Sequence, residues 1–289
     1  MIEYYAFKKI EKSIFDKIKK KKIKKNNKFL YKSLNDTIEY YANLEKDIEY
    51  VSYFGKVYFE ISKSDEELRP NEYDFLGCHI FEDKEISDLS ISHNLRGSST
   101  LRITNNNCYE SIDIKIVFAE RSFAFISKFN NIDQKSKFEK IYILFMLSHA
   151  YNLYTEMLLS QVSNSYKEND FERMIKLRKE IYIFDLNCFF SNPVYYEKHQ
   201  LNTIWCYLEN IYSVEKKYIE VKTQIKDFVS LIEVLLKEEE NKKISQRTFY
   251  LTVLGSIIAL FSLFGAYKDF KEVFGIKSSD NNIFIENKK

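Results

Sequence analysis

The chain has 289 residues, and its 44 lysines and arginines almost balance 42 aspartates and glutamates, leaving a formal charge of +2. Hydrophobic residues make up 45% of it, enough for a buried core, which excludes a wholly disordered chain. Only 6 glycines and 2 prolines disfavour a turn-rich all-β fold and favour long helices.

Residues 1–130 read as a cytoplasmic α+β domain. Phe7, Ile10, Ile14 and Ile18 follow helical spacing and predict one amphipathic helix. Leu34, Ile38, Tyr41, Leu44, Ile48 and Val51 predict a second, ended by Gly55. Alternation then takes over at Val57, Phe59 and Ile61, and again at Ile112, Ile114 and Ile116. Asn105-Asn106-Asn107 would join the latter to Leu101 and Ile103 as a hairpin in a mostly antiparallel sheet, and Arg69-Pro70-Asn71 reads as a turn.

Two stretches of this domain invite a chemical reading. Lys17 to Lys28 holds eight lysines in twelve positions, making Lys19, Lys20, Lys21, Lys22, Lys24 and Lys25 candidate anion-binding groups. The competing reading is a solvated helix end, because lysine is the default cation here: the arginines are only Arg69, Arg96, Arg102, Arg121, Arg173, Arg178 and Arg247. On a strand from Asp74 to Asp83, Asp74, Cys78 and Glu82 would share one face and His79 and Asp83 the other. One strand cannot make such ligands converge, so no metal is expected. The scattered cysteines Cys78, Cys108, Cys188 and Cys206 form no C-x-x-C and read as structural thiols. No nucleotide-loop, dinucleotide-fold, serine-hydrolase or zinc-protease motif occurs, so neither a catalytic constellation nor a cofactor is expected.

Residues 131–192 predict connecting helices. One carries Phe138, Ile141, Leu144, Leu147, Tyr151, Tyr154 and Leu158; a second, capped by Asn169 or Asp170, carries Phe171, Ile175, Arg178, Tyr182, Leu186 and Phe189. Ser191-Asn192-Pro193 reads as the start of a long stalk helix, residues 193–247, without glycine or further proline. Its coiled-coil-like seam is Ile211, Val214, Tyr218, Val221, Ile225, Phe228, Ile232 and Leu235, over a length on the order of 80 Å. That seam must face a partner, either preceding helices of the same chain or equivalent helices of other copies.

Residues 248–267 are twenty residues without a charge, bracketed by Lys242, Lys243 and Arg247 before and Lys268 and Lys271 after. They predict one carboxy-terminal transmembrane helix, followed by a short tail, 268–289. Thr252, Gly255, Ala259, Ser262 and Ala266 recur at spacings of 3, 4, 3 and 4. The stripe reads as a helix-packing face or, with Ser256, as the lining of a pore. The amino terminus lacks a basic segment followed by an apolar one, which would leave the bulk of a single-pass membrane protein in the cytoplasm.

From Met174 to Tyr267 this order of helices, stalk and apolar segment resembles the CorA-type cation channel family, whose stalk helices assemble into a funnel that continues into the pore. The family's Gly-Met-Asn motif is absent, since the segment ends Phe264-Gly265-Ala266-Tyr267-Lys268, and there is no second span. Asn192-Pro193-Val194-Tyr195-Tyr196 is also similar to the stalk start of the single-span family named for meiotic nuclear division. The resemblance implies an oligomeric, non-enzymatic membrane protein, a divergent CorA-like channel or effector for ion transport, with a sensing domain coupled through its stalk. The alternative is a passive single-span tether presenting a protein- or nucleotide-binding domain in defence or signalling. Expected partners are a lipid bilayer, further copies of the chain and a small-molecule or nucleotide ligand, with nucleic acid not among them.

Overall fold

The computed structural model describes residues 2–25, 27–69, 72–81, 86–129, 131–168 and 170–273; the side chains of 171, 232, 235, 236, 239, 260, 261 and 263–273 are outside that description. Nine strands form one sheet: β1 (Ile2–Ile10), β2 (Lys20–Ile23), β3 (Ile38–Asn43), β4 (Ile48–Tyr53), β5 (Val57–Ser64), β6 (Phe75–Phe81), β7 (Cys108–Glu110), β8 (Ile114–Phe118) and β9 (Ser122–Ser127). Their order is β2-β3-β4-β5-β1-β6-β9-β8-β7, antiparallel except where β6 runs parallel to β9. Short helices α1 (Lys12–Lys17), α2 (Lys32–Asn35) and α3 (Asp88–Arg96) interrupt the strands, and α4 (Ile132–Lys167), α5 (Phe171–Asn187), α6 (His199–Tyr212) and α7 (Val214–Val273) follow.

The sheet is covered on both faces, which explains why its central strand reads as an unbroken apolar run. Tyr4 and Ala6 of β1 join Leu76, Cys78 and Ile80 of β6 under Ile91 and Leu95 of α3. On the same face, Phe15 of α1 packs on Tyr50 and Tyr58. The alternate residues Tyr5 and Phe7 point the other way, with Tyr5 4.7 Å from Phe138 and Phe7 5.8 Å from Tyr142 of α4. Helix α4 is buried around its whole circumference from Ile141 to Asn152, as expected of a helix enclosed by other elements. Gly77 is required here: a Cβ would come within 2.7 Å of Cε1 of Phe123, its neighbour across the parallel pair.

The expected first two helices resolve largely into strands, with only Ile14 and Leu34 in the short helices α1 and α2. Phe7 and Ile10 lie in β1 and Ile14 in α1, so their helical spacing bridges two elements. Ile38 and Tyr41 lie in β3 and Ile48 and Val51 in β4. Gly55 ends no helix but closes the β4–β5 hairpin: Phe54 and Gly55 have φ of 60° and 64°, and Lys56 donates its N–H to the Tyr53 carbonyl at 3.0 Å. Two positive φ values give a turn whose twist matches the flanking strands. Phe54 is held in this disfavoured conformation by stacking on Tyr151, 5.3 Å away and 7° from parallel. The expected hairpin is one step off in the chain, joining β7 to β8. Of Arg69-Pro70-Asn71, Pro70 and Asn71 lie outside the described residues, as do Glu82, Asp83 and Asn169.

The connecting helices α4 and α5 form where expected, and Asp170 caps α5 by accepting the Arg173 N–H at 2.9 Å. The stalk differs. Residues around Pro193 are extended, with Tyr31 donating to the Pro193 carbonyl at 3.0 Å and Tyr195 to that of Phe29 at 2.9 Å. Helix begins at His199 and breaks at Ser213, whose φ of 51° is left-handed, before α7 starts at Val214.

The expected transmembrane helix is corrected as well. Among the described residues no helix is long and apolar enough to cross a membrane, which overturns the span at 248–267 and the single-pass membrane placement drawn from it. Side chains 260, 261 and 263–267, and residues 274–289 of the tail, lie outside the description.

The chain divides into two units, Met1–Val229 and Ser230–Lys289. The first holds the sheet, α1 to α6 and the start of α7.

Candidate functional site

The basic run is an edge strand with its flanks, and much of its charge is engaged. Lys19 pairs with Glu45 at 3.0 Å, Lys22 with Glu39 at 2.6 Å and Lys25 with Glu49 at 2.5 Å. Lys20 donates to the Phe15 carbonyl and lies 3.9 Å over that ring's centroid. Lys21 and Lys24 remain exposed. Lysines on an outermost strand disfavour pairing with another sheet, a sufficient role for β2.

Lys25 departs from its neighbours. Its side chain is 11% exposed, donates to the Tyr142 hydroxyl at 2.6 Å, and lies over the rings of Tyr40 and Tyr142. Burial pushes the Glu49 carboxyl up, but Lys25 and then Lys63 outweigh it, so Glu49 is held below its ordinary range. Local spacing carries no signal for this cluster, because α4 supplies Tyr142 from 117 positions away.

The stalk seam faces its own chain. Val214, Tyr218, Val221 and Ile225 are buried, and Ile211 and Phe228 are half-buried. Tyr218 stacks on Phe189 at 3.9 Å and donates to Asp185 of α5 at 3.2 Å, while Phe228 meets Tyr166 of α4 at 5.2 Å. Ile232 and Leu235 lie in the second unit, with side chains outside the described set.

In that second unit, α7 presents two unlike faces. At about 100° per residue, Tyr250, Leu251, Val253, Leu254, Ile257 and Ile258 fall on one side, and Thr252, Gly255, Ser256, Ala259 and Ser262 on the other. The large residues are exposed, Leu251 at 71%, Leu254 at 58% and Ile258 at 57%. The hydroxyls of Thr252, Ser256 and Ser262 donate to carbonyls one turn back, at 2.8, 2.9 and 2.9 Å. Their polarity is thus satisfied within the helix, and a Cβ on Gly255 would touch nothing within 4 Å. The Ala266 side chain lies outside the described set.

The buried histidines belong to the core. His149 stacks on Phe75 at 4.0 Å, and burial, then Lys217 and Arg121, push its pKa down to about 3. His79 lies parallel to Phe138 at 4.9 Å, with Nε2 3.2 Å from Ser127 Oγ, and burial followed by Lys135 brings it to about 3. Burial pushes the Cys78 thiol up to about 12, which leaves it a packing group. Among the described residues no three His, Cys, Asp or Glu side chains are grouped to hold a metal.

A cleft of about 660 Å³ in the first unit is lined by Thr104, Asn105, Asn106, Asn107, Tyr207, Asn210 and Ile211. It has amides, hydroxyls and one ring but no ionised side chain, a lining suited to a neutral polar molecule. Asn107 holds the loop itself, accepting from the Thr104 N–H at 2.8 Å and donating to the Arg102 carbonyl at 3.1 Å. The chain matches no protein-family model, and neither curated proteins nor solved structures yield a match.

Proposed function

We propose that this protein is a non-catalytic binding protein that works as a homo-oligomer, with the first unit presenting ligand clefts and the second joining copies. The observation carrying this reading is the row of exposed large apolar side chains on α7, Leu251, Leu254 and Ile258 among them. A helix with this much apolar surface gains by covering it, at about 25 cal/mol per Å². Identical copies suit the task because the helix offers both halves of a packing: large residues on one face, and Gly255, Ala259 and small hydroxyls on the other. Small residues let a second backbone approach, and large ones fill the space left.

The seam from Val214 to Ile225 takes no part, since α5 and its neighbours occupy it. Cross-linking tests the assembly. Gly255→Cys and Ala259→Cys, each in a chain where the exposed Cys206 is serine, are treated with a short bifunctional maleimide. Covalent dimers at protein concentrations where the Cys206→Ser chain gives none are the expected result. Monomer alone at both positions would refute self-assembly through this helix.

A further inference from the structure

We propose that a second cleft of the first unit, between the end of α3 and the β8–β9 turn, binds a phosphate group through the guanidinium groups of Arg96 and Arg121. The cleft measures about 310 Å³, and Arg96, Ser98, Glu120, Arg121 and Ser122 contribute to its lining. Only seven of the chain's 44 cationic residues are arginine, yet both cations here are arginine and none is lysine. A lysine supplies a point charge, whereas a guanidinium supplies a planar fork that matches two oxygens of a phosphate.

The backbone carrying both arginines is fixed before any ligand arrives. Ser122 Oγ donates to the Leu95 carbonyl at 2.7 Å, tying the turn to α3. Within the turn, the Ala119 N–H donates to the Ser122 carbonyl at 2.7 Å, and the Arg121 carbonyl accepts from Leu76 at 2.9 Å. On the other wall, Gly97 caps α3 at φ 66°, and Ser92 Oγ accepts the Leu101 N–H at 3.0 Å and donates to the Ser98 carbonyl. Ligand binding therefore orders little beyond two side chains, which favours affinity.

The local charge is unbalanced. Arg96 meets Glu120 at 3.8 Å, but that carboxylate's side chain is 87% exposed and hydrated, a weak partner. Arg96 also faces the negative end of α3, which absorbs part of its charge. Arg121 sits on the turn that Ser122 ties to the last turn of α3. The volume admits a phosphate with a small attached group, so the phosphoryl chemistry fits both inorganic phosphate and a mononucleotide.

Calorimetric titration of the full chain with sodium phosphate and, separately, with AMP tests the assignment. Wild type should bind at least one probe saturably. Arg121→Lys, which keeps the charge and removes the fork, should weaken binding about tenfold. Lys21→Gln, on the exposed basic edge, should leave it unchanged, and a thermal melt of Arg121→Lys matching wild type would assign its loss to the site. Tighter binding of AMP identifies a nucleotide-type ligand, and equal binding identifies the phosphate group alone. The proposal is overturned if neither probe saturates, if Arg121→Lys binds as wild type, or if Lys21→Gln carries the loss.

Discussion

The two units handle apolar surface in opposite ways. In Met1–Val229 the large rings lie inside: Phe145 meets Phe75, Phe123, His149 and Tyr212 and is fully buried. In the described part of the second unit, Leu251 and Leu254 are exposed on a helix. The first unit completes its core with its own residues, whereas Leu251 and Leu254 of the second stay exposed, the surface that the proposed assembly would cover. Substitutions should therefore sort by location, with first-unit variants changing unfolding and second-unit α7 variants changing association.

The largest effect is expected at the centre of the first core. Phe145→Ala removes a ring with four aromatic or imidazole neighbours and should cost about 3–5 kcal/mol in urea unfolding. Leu254→Ala should move that midpoint by less than about 0.5 kcal/mol under monomeric conditions. Equal shifts would erase the distinction between the units. Gly77→Ala follows, at about 1–3 kcal/mol, since the new methyl would stand 2.7 Å from Cε1 of the fully buried Phe123 ring.

Acid sharpens the same contrast. His79 and His149 have folded pKa values near 3, against about 6.5 for an unfolded histidine. Below pH 6.5 the unfolded chain therefore binds more protons than the folded one, and stability falls as pH drops from 6.5 toward 3. The slope should reach about 1.4 kcal/mol per pH unit for each histidine once the unfolded ones are protonated. His149→Phe should remove roughly half of this slope in melts between pH 4.5 and 6.5. Glu49, held low in the fold, loses its contribution only at lower pH, as its carboxylate protonates. The smallest effect is expected at the exposed edge: Lys22→Ala breaks the pair with Glu39 and should cost under about 1 kcal/mol by the same melts.

What was legible in the chain follows from which forces act locally. Helices α4 and α5 announce themselves through spacing and the Asp170 cap, and β5 through the alternation of Val57, Phe59 and Ile61. β1 escaped because its two covered faces replace alternation with a run, Tyr4-Tyr5-Ala6-Phe7, while Phe7 and Ile10 match helical spacing with Ile14 and Ile18 by coincidence. β3 and β4 escaped for a related reason, and Phe54 conceals the turn that would have separated β4 from β5, because an aromatic residue seldom takes a positive φ. The break at Ser213 carries no glycine or proline to mark it. The basic run and the small-residue stripe were visible as patterns, but the carboxylates facing the lysines lie 17 to 26 positions away. Arg96 and Arg121 likewise come to line one cleft only through the fold, 25 positions apart, and no pattern in the sequence singles them out.

Self-association through α7 of the second unit is open to direct measurement. Light scattering of the eluting full chain, repeated over a hundredfold dilution, measures this directly. Association through α7 predicts a mass that is a multiple of 34.7 kDa at high concentration. It also predicts collapse to the single-chain mass in Leu254→Asp with Ile258→Asp, while the thermal melt of the first unit stays unchanged. A wild-type mass of 34.7 kDa at every concentration would contradict it.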